Sequence, residues 1–269
     1  MEYVTLNTGH AMPLIGIGTW KMDDHEAERS VRAALDLGYR LIDTATLYGN
    51  ERGVGRAVRG SDILREDIFV TTKLWPTDFF SPQQAFDASL ERLGLDYVDL
   101  YLVHWPIPMM PKSVWFAMEK LFASKRARSI GVSNYGIGDL ERLLAYATVV
   151  PAVNQVRFSP FDYAEEALKS CASRGIALQA YSPLTRGSRL HDTAVTEIAD
   201  RHGKTPAQVL LRWCIEHGVS AIPKSSDSAR MRENIDIFGF ELSPEEVATL
   251  DALDERLVPG RLSIARKRD

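Results

Sequence analysis

Short apolar runs alternate with longer amphipathic segments from one end of the chain to the other. The apolar runs have the length of buried parallel strands, and the amphipathic segments repeat their apolar positions with the period of a helix. Eight strands are predicted, over residues 14–18, 40–44, 68–74, 98–104, 128–133, 152–156, 176–181 and 219–222. Helices are predicted between them, over residues 25–37, 81–93, 113–123, 138–147, 163–174, 193–202 and 205–217.

The boundaries of several predicted helices carry their own signals. Ser81-Pro82 and Thr205-Pro206 each offer a capping hydroxyl followed by a first-turn proline. Glycines stand where helices should end, at Gly38, Gly94, Gly175 and Gly218. Eight βα units without a linker favour a closed barrel over a doubly wound sheet. We therefore expect an α/β fold, a (β/α)8 TIM barrel, in which residues 1–269 form a single domain.

The segment before the first barrel strand follows a different pattern. Residues 3–12 alternate in polarity around Asn7-Thr8-Gly9, which is typical of a hairpin turn. We expect an N-terminal β-hairpin ahead of the barrel.

A length of 269 residues with 45% hydrophobic content suits one large core, although it suits two smaller domains equally well.

The charge pattern narrows the range of partners. The net charge of −4 comes from 32 basic and 36 acidic residues that are interspersed along the chain, so no basic face for nucleic acid stands out. The one basic cluster, Arg266-Lys267-Arg268, is interpreted as a solvated tail. The sequence shows no leader-like start, no apolar segment of membrane-spanning length and no pattern typical of a dimer seam. We expect a cytoplasmic monomer that binds neither membrane nor nucleic acid.

Cysteines, histidines and one glycine-rich segment could suggest other chemistry. Cys171 and Cys214 lie far apart in predicted helices, so free thiols are the simpler interpretation. The six histidines show no metal-ligand spacing, and we expect no metal site. The segment 53–58 imitates a dinucleotide fingerprint, but Val58 replaces its third glycine and no strand precedes it directly. We expect a plain helix there.

Polar or aromatic residues stand at the end of strand after strand, where a buried parallel strand would not need them. They are Thr19-Trp20, Asp43, Lys73, His104, Ser133-Asn134, Gln155, Tyr181 and Lys224. Any one of them alone could be a solvated strand end or a helix cap. In a barrel, however, the carboxyl ends of all strands open onto one mouth, which is where barrel enzymes keep their sites. We therefore expect these side chains to converge.

Four residues near these strand ends form a chemically coherent group. Lys73 ends a strongly apolar run, so its ammonium group needs a counter-charge, which Asp43 can supply. Tyr48 follows in a loop of small and polar residues, and a phenol beside a buried cation is expected to have a lowered pKa. His104 precedes Trp105-Pro106 at the mouth and is expected to hydrogen-bond a substrate oxygen. Such a group can transfer a proton to a substrate.

Motifs spread in order over nearly the whole chain resemble the aldo-keto reductases. The matching segments are residues 16–20, 43–51, 72–73, 102–106, 131–134, 154–155, 181–184 and 222–225. The resemblance implies reduction of aldehydes and ketones to alcohols, with Tyr48 as general acid, Lys73 and Asp43 tuning it, and His104 orienting the carbonyl. The short tail after Arg256 leads us to expect an open site and broad acceptance of small aldehydes, α-dicarbonyls and keto sugars.

The same resemblance implies NADPH as the cofactor. The nicotinamide ring would stack on Tyr181, and its carboxamide would be held by Ser133, Asn134 and Gln155. Lys224 and Arg230 would pair with the adenosine 2'-phosphate, which favours NADPH over NADH. The full set of expected cofactor contacts is Thr19, Trp20, Asp43, Ser133, Asn134, Gln155, Tyr181, Ser182, Leu184, Arg186, Ile222, Lys224, Ser225, Arg230, Glu233 and Asn234. For residues 224–234, a basic first turn of a helix is the alternative interpretation.

Aromatic residues around the mouth are expected to form the substrate pocket, which would be lined by Trp20, Tyr48, Trp75, His104 and Trp105. Phe79 and Phe80 are further candidates, although packing on the barrel rim would explain them as well.

Two other functional classes compete with the reductase interpretation. A binding module on the same fold would need no turnover, and it would have no use for Tyr48, Lys73, Asp43 and His104 together. A barrel isomerase or aldolase would use Lys73 as a Schiff-base amine, but it would leave Tyr181 and the segment 224–234 without a role. An NADPH-dependent carbonyl reductase uses all of these residues.

Overall fold

The regular elements follow the alternation predicted from the sequence, and the computed structural model describes them over residues 2–108 and 110–255. The strands are β1 (Tyr3–Thr5), β2 (Ala11–Pro13), β3 (Ile17–Gly18), β4 (Leu41–Asp43), β5 (Phe69–Leu74), β6 (Leu100–Val103), β7 (Ile130–Ser133), β8 (Val153–Arg157), β9 (Ala177–Tyr181) and β10 (Ser220–Ile222). The helices are α1 (Asp24–Asp36), α2 (Glu51–Arg59), α3 (Pro82–Leu93), α4 (Lys112–Ala123), α5 (Ile137–Leu144), α6 (Glu165–Ala172), α7 (Thr193–His202), α8 (Pro206–Glu216), α9 (Ser228–Ile235) and α10 (Pro244–Asp251).

Strands β3 to β10 form one parallel sheet in which each strand pairs with its neighbour in sequence. Isolated bridges from Ile15 to Ala221 and from Gly18 to Lys224 join the first strand of this sheet to the last. The predicted (β/α)8 barrel is therefore confirmed. So is the N-terminal hairpin, in which β1 and β2 pair in antiparallel register from Tyr3 opposite Pro13.

The hairpin closes the end of the barrel opposite to the mouth. Leu6 and Met12 pack into the inner core with the first inward-facing residues of the strands, among them Leu41, Phe69 and Leu100. Alternate residues of a strand point to opposite sides of the wall. Further along the strands, the inward positions become polar, as in Asp43, Lys73, His104 and Gln155. Because the strands are parallel, these polar positions meet at the mouth.

Helix boundaries agree with most of the predicted signals. Thr205 forms a capping box with Gln208, and the expected terminal glycines at 38, 94, 175 and 218 all have positive φ. Ser81 was expected to cap α3, but its side chain makes no capping hydrogen bond. The reason is its ψ of 58°, which departs from the extended conformation in which a cap reaches the first turn.

Several expectations concern residues at or beyond the edge of the described chain. Arg266-Lys267-Arg268 and the tail after Arg256 lie outside the described residues, so the tail interpretation, the open site and the single domain over 1–269 stay predictions.

Cys171 and Cys214 are buried free thiols. Within residues 2–108 and 110–255, none of the helices combines the length and the apolarity needed to cross a bilayer.

The segment 53–58 lies in α2, as expected for a plain helix, and its glycines have a packing role. A Cβ atom on Gly53 would lie 2.0 Å from the carbonyl oxygen of Asp24 in α1. A Cβ atom on Gly55 would lie 2.0 Å from the carbonyl oxygen of Leu93 in α3. The two glycines therefore bring α2 into direct backbone contact with both neighbouring helices.

Gly55→Ala is expected to destabilise the fold by roughly 1–3 kcal/mol, because the new methyl group meets backbone atoms that cannot rotate away. Gly138→Ala is the matched control, since its Cβ would meet only the flexible Arg142 side chain at 3.4 Å. Thermal and urea unfolding of both variants measure the difference. Equal stability of the two variants would contradict the packing role of Gly55.

Candidate active site

A buried ion pair lies at the base of the barrel mouth. Lys73 of β5 donates from Nζ to Asp43 Oδ1 at 2.6 Å and to the carbonyl oxygen of Thr44 at 2.9 Å. The two side chains are 0% and 2% exposed. Burial alone lowers the pKa of Lys73, but the charge of Asp43 and the contact with Tyr48 outweigh it, so that the pKa is raised. The ammonium group therefore stays charged in the barrel core.

The third contact of this ammonium group is the phenol of Tyr48. Lys73 Nζ donates to the phenolic oxygen at 3.3 Å and lies 4.9 Å from the centre of the Tyr48 ring. Tyr48 ends a 3-10 turn that Gly49 terminates with a φ of 69°. Since Lys73 supplies the proton of this hydrogen bond, the phenol's own proton is not used in it. That proton can be given to a group in the mouth.

The prediction that the pKa of Tyr48 is lowered is wrong. Burial raises the pKa of the Tyr48 phenol above its ordinary value of 10, and this effect outweighs the opposing charge of Lys73. Asp43 adds a further raising contribution, because its carboxylate offsets part of the lysine charge. At neutral pH the phenol is therefore protonated, which is the state that a general acid requires.

The loop that carries Tyr48 is fixed by Asn50, which sequence reasoning missed. Asn50 is fully buried and donates from Nδ2 to the carbonyl oxygens of Thr19 and Met22, both at 2.9 Å. Its Oδ1 accepts from Thr44 Oγ1 at 2.7 Å. An asparagine just before a helix suggests an N-cap, but this side chain makes no capping bond to α2. It ties together the loops after β3 and β4 instead.

A second buried carboxylate supports β5 next to Lys73. Glu51 is 1% exposed, and it accepts from Thr72 Oγ1 and from Arg92 Nε, both at 2.6 Å. The sequence signal for a role of Glu51 was its position at the end of the motif segment 43–51, directly after Asn50. Its hydrogen bonds connect the start of α2 with β5 and with α3.

His104 lies at the mouth beside Tyr48 and Trp75. Its ring centre is 5.6 Å from that of Tyr48 and 5.0 Å from that of Trp75, with edge-to-face geometry in both cases. Burial, and to a lesser degree the charge of Lys73, lowers its pKa to about 3. His104 Nδ1 is buried without a hydrogen-bond partner among the described residues. The imidazole is therefore neutral and can make hydrogen bonds in the mouth.

The residues expected to hold the nicotinamide form one hydrogen-bonded group. Asn134, with a φ of 63°, donates from Nδ2 to Ser133 Oγ at 3.0 Å and to the carbonyl oxygen of His104 at 3.1 Å. Its Oδ1 accepts from the Tyr181 hydroxyl at 2.8 Å. Gln155 donates to Asp43 Oδ2 at 2.8 Å. This group joins the ends of β7, β8 and β9 to the ion pair.

The loop after β9 has an unusual backbone. Ser182, Thr185 and Arg186 have φ values of 51°, 47° and 55°, in the left-handed region that favours glycine. Such residues each cost roughly 1–3 kcal/mol and occur mainly at functional sites. Leu184 is half-buried and Arg186 is exposed. The loop therefore presents backbone groups and one guanidinium group beside Tyr181.

The segment 224–234 runs from the end of β10 into α9, which agrees with the helix interpretation, while the cofactor interpretation stays a prediction. Lys224 and Arg230 are exposed, and Lys224 Nζ lies 3.5 Å from Glu26 Oε1 of α1. Ser225 is 7% exposed and its Oγ accepts from the backbone N–H of Asp227 at 3.1 Å. A cleft of about 360 Å³ next to this segment is lined by Glu26, Arg29, Ser30, Ala33, Ser226 and Ser228.

Four of the expected cofactor contacts, Glu233, Asn234, Ile222 and Thr19, are buried or bonded within the protein. Glu233 Oε1 accepts from Thr205 Oγ1 at 2.6 Å, and Asn234 is 3% exposed. Ile222 is 5% exposed and packs in the inner core. Thr19 is fully buried and donates from Oγ1 to the carbonyl oxygen of Asp43 at 3.0 Å. Glu233 and Thr19 are thus hydrogen-bonded within the protein, and Asn234 and Ile222 are buried.

The aromatic residues of the mouth divide into two groups. Trp20 and Trp105 are 38% and 48% exposed, and the Trp20 ring centre lies 4.8 Å from that of Tyr48. Phe79 is 5% exposed and packs in the core against the helices, whereas Phe80 is 96% exposed. Packing therefore explains Phe79, while Phe80 projects into solvent from the loop after β5.

A metal ion in the mouth would need a cluster of ligating side chains. In the part of the chain that the structure describes, no group of three or more His, Cys, Asp or Glu side chains is placed to hold a metal ion. The chemical capacity of the mouth lies in the charged lysine, the protonated phenol and the neutral imidazole.

Comparison with known proteins agrees with this architecture. Residues 14–255 match the sequence model of the Aldo/keto reductase family. The chain is 47% identical over 264 residues to the glyoxal reductase of Bacillus subtilis (strain 168), covering 96% of both proteins. The chain therefore belongs to the aldo/keto reductase family, and it is an oxidoreductase by that membership.

Solved structures give the same relationship. The crystal structure of an aldo/keto reductase from Brucella melitensis superimposes with a TM-score of 0.90 at 46% identity, covering 94% of this chain and 99% of the other. The structure of a Bombyx mori aldo-keto reductase in complex with NADP superimposes with a TM-score of 0.89 at 34% identity, covering 94% and 92%.

The buried neutral imidazole of His104 leads to a prediction on stability. Its pKa of about 3 lies below the ordinary value of 6.5, so protonation favours the unfolded chain. This contribution to stability is present above pH 6.5 and is lost as the pH falls towards 3, by at most about 1.4 kcal/mol per pH unit. His104→Gln is expected to show a weaker fall of melting temperature between pH 6.5 and pH 4 than the parent protein.

His191→Gln is the control for this experiment, because His191 is exposed. Its melting temperature is expected to follow the parent curve across the whole pH range. Parallel curves for the parent protein and His104→Gln would show that His104 does not carry the pH dependence.

Proposed function

We propose that this protein reduces small aldehydes and ketones, including α-dicarbonyls and keto sugars, to alcohols with NADPH. The observation that carries the proposal is the Lys73 ammonium group, which is fully buried and donates to the phenol of Tyr48. This arrangement leaves the phenolic proton for a substrate in the mouth. The similarity to a glyoxal reductase supports a small dicarbonyl as one of the substrates.

Tyr48 is proposed as the proton donor to the carbonyl oxygen. As the proton leaves, negative charge grows on the phenolic oxygen, and Lys73 at 3.3 Å stabilises that charge. Asp43 holds the ammonium group in place from the other side at 2.6 Å. The phenol is protonated in the resting protein, and the lysine charge reduces the free energy needed to form the buried phenolate during transfer.

His104 is proposed to orient the carbonyl. Its ring is neutral and lies edge-to-face with Tyr48, so it can hydrogen-bond the same oxygen without competing for the proton. Trp20 and Trp105 keep part of their rings exposed and would line the pocket with Trp75. Mobile water would be excluded by these aromatic rings once a substrate is seated.

The residues around the ion pair fit a nicotinamide cofactor. Tyr181 is half-buried and its hydroxyl is held by Asn134, so its ring is fixed as a stacking surface. Ser133, Asn134 and Gln155 would hold the carboxamide. The bound cofactor would supply the hydride that the carbonyl carbon receives. The NADP complex of the Bombyx mori relative supports this choice.

The adenosine 2'-phosphate is proposed to bind at residues 224–230. Lys224 precedes α9 and Arg230 lies in its first turn, so both exposed cations are near the start of the helix, and Ser225 adds a hydroxyl. Paired cations bind a dianionic phosphate by charge-assisted hydrogen bonds. Glu26 neutralises part of the Lys224 charge when no phosphate is present.

The geometry of Lys73 argues against the aldolase alternative. A Schiff-base lysine must be uncharged and accessible to a carbonyl. Lys73 is 0% exposed, its three contacts are Asp43, Thr44 and Tyr48, and its pKa is raised. Proton transfer through Tyr48 uses this lysine in the state that the structure supports.

Tyr48→Phe keeps the ring but removes the hydroxyl, so carbonyl reduction is expected to fall by about 10²–10⁴ while NADPH affinity persists. The assay is NADPH oxidation with glyoxal, a small aldehyde, a keto sugar and a bulky steroid ketone. Tyr3→Phe, at an exposed position, is the control and is expected to behave like the parent protein. If Tyr48→Phe reduces carbonyls at a near-parental rate, Tyr48 is not the proton donor.

Replacing Lys224 and Arg230 together with methionine is expected to weaken NADPH binding far more than NADH binding. Each lost charge-assisted contact contributes roughly 1.5–3 kcal/mol to the affinity for the phosphate-bearing cofactor. Fluorescence titration with both cofactors measures the ratio. The control is Arg142→Met, an exposed arginine of α5. If both cofactors lose affinity equally, the 2'-phosphate lies elsewhere.

A further inference from the structure

A line of buried hydrogen bonds runs through the barrel core behind the ion pair. Gln155 Nε2 donates to Asp43 Oδ2 at 2.8 Å and to Gln179 Oε1 at 2.7 Å. Gln179 Nε2 donates to Ser220 Oγ at 3.3 Å, and Ser220 Oγ donates to the carbonyl oxygen of Pro13 at 2.9 Å. Gln179 and Ser220 are fully buried, and Gln155 is 2% exposed.

The direction of every bond in this line is set by its two ends. The carboxylate of Asp43 and the carbonyl group of Pro13 can only accept hydrogen bonds. Ser220 must therefore donate to Pro13, and Gln155 must turn its nitrogen towards Asp43. Because Gln179 turns its oxygen to Gln155, both N–H groups of Gln155 are used. Its Oε1 is the atom left for another partner.

The position of Gln179 is otherwise a core position. It lies on β9 two residues after Ala177, an inward position that packs in the inner apolar core. A buried amide without hydrogen-bond partners destabilises the fold by about 1–3 kcal/mol. An apolar side chain of similar size would fill this position without that penalty. The hydrogen bond that Gln179 accepts from Gln155 explains why a polar side chain occupies this position.

We propose that Gln179 is a positioning residue for the active site, because it engages the second N–H group of Gln155 and, together with Asp43, holds the Gln155 amide in one orientation. With Gln179 present, Gln155 gives its nitrogen to Asp43 and keeps its oxygen for the cofactor carboxamide. Without that acceptor, only the contact with Asp43 holds the Gln155 amide, and its second N–H group loses its fixed partner. The role in cofactor binding rests on the function proposed above.

The test compares two substitutions of similar size. Gln179→Met fills the same space without an acceptor, whereas Gln179→Glu, protonated at this buried position, keeps the acceptor and the donor. NADPH affinity, measured by fluorescence titration, is expected to fall about threefold to tenfold in Gln179→Met and to stay near the parent value in Gln179→Glu. The upper limb of the kcat pH profile is expected to move only in Gln179→Met.

A readout without cofactor separates this inference from the proposed function. In the parent protein and in Gln179→Glu, the two Gln155 side-chain amide protons are expected to give separate, exchange-protected NMR signals. In Gln179→Met, these signals are expected to lose protection. Protected signals in Gln179→Met overturn the inference, even if no carbonyl is reduced. Equal losses of affinity in both variants overturn it too, since they would mean that only packing matters.

Ser220→Ala provides a milder change in case Gln179→Met does not fold. It removes one of the two partners of Gln179 Nε2, the other being Met12 Sδ at 3.5 Å, and it leaves the contact with Gln155. We expect the same two readouts to change in the same direction, by less than threefold in affinity. Unchanged Gln155 protection and unchanged affinity in Ser220→Ala would then count against the inference.

Discussion

The burial of one ammonium group is the constraint on which this site depends. Lys73 carries its charge into a core from which water is excluded, so each of its donors needs a fixed acceptor. Asp43, the Thr44 carbonyl group and Tyr48 are those acceptors. The same requirement sets the shape of the loop after β4, because only a tight turn returns the phenol to the lysine. Chemistry and folding therefore use the same contacts.

The neighbouring loops are held to this centre by buried polar side chains. Asn50 and Glu51 connect the loops and helices around Tyr48, while Asn134 connects Tyr181 to the chain beside His104. Each of these contacts joins residues that are distant in sequence. A small displacement of one loop would break hydrogen bonds in another, so the mouth is a rigid unit rather than a set of independent loops.

Much of this arrangement could be predicted from the sequence, because strand spacing and parallel topology alone bring the strand ends to one mouth. The alternation of apolar and amphipathic segments predicted the barrel, and Asn7-Thr8-Gly9 predicted the turn of the hairpin. Two features could not be predicted in this way. The pKa of Tyr48 depends on how far burial outweighs a neighbouring charge, and Asn50 looks like a helix cap until its partners are known. The roles of the cofactor residues, the cytoplasmic location and the monomeric state stay predictions.

The left-handed residues after β9 have a consequence for the order in which the molecule opens. Ser182, Thr185 and Arg186 place three left-handed residues, with the strain that accompanies them, within five positions of one loop. Strain lowers the free energy needed for local unfolding, so this loop is a weak point in an otherwise cooperative structure. We therefore expect this segment to open at a lower free energy than the barrel. The time for which a molecule stays bound beside it would then depend on this local opening and not on unfolding of the whole chain.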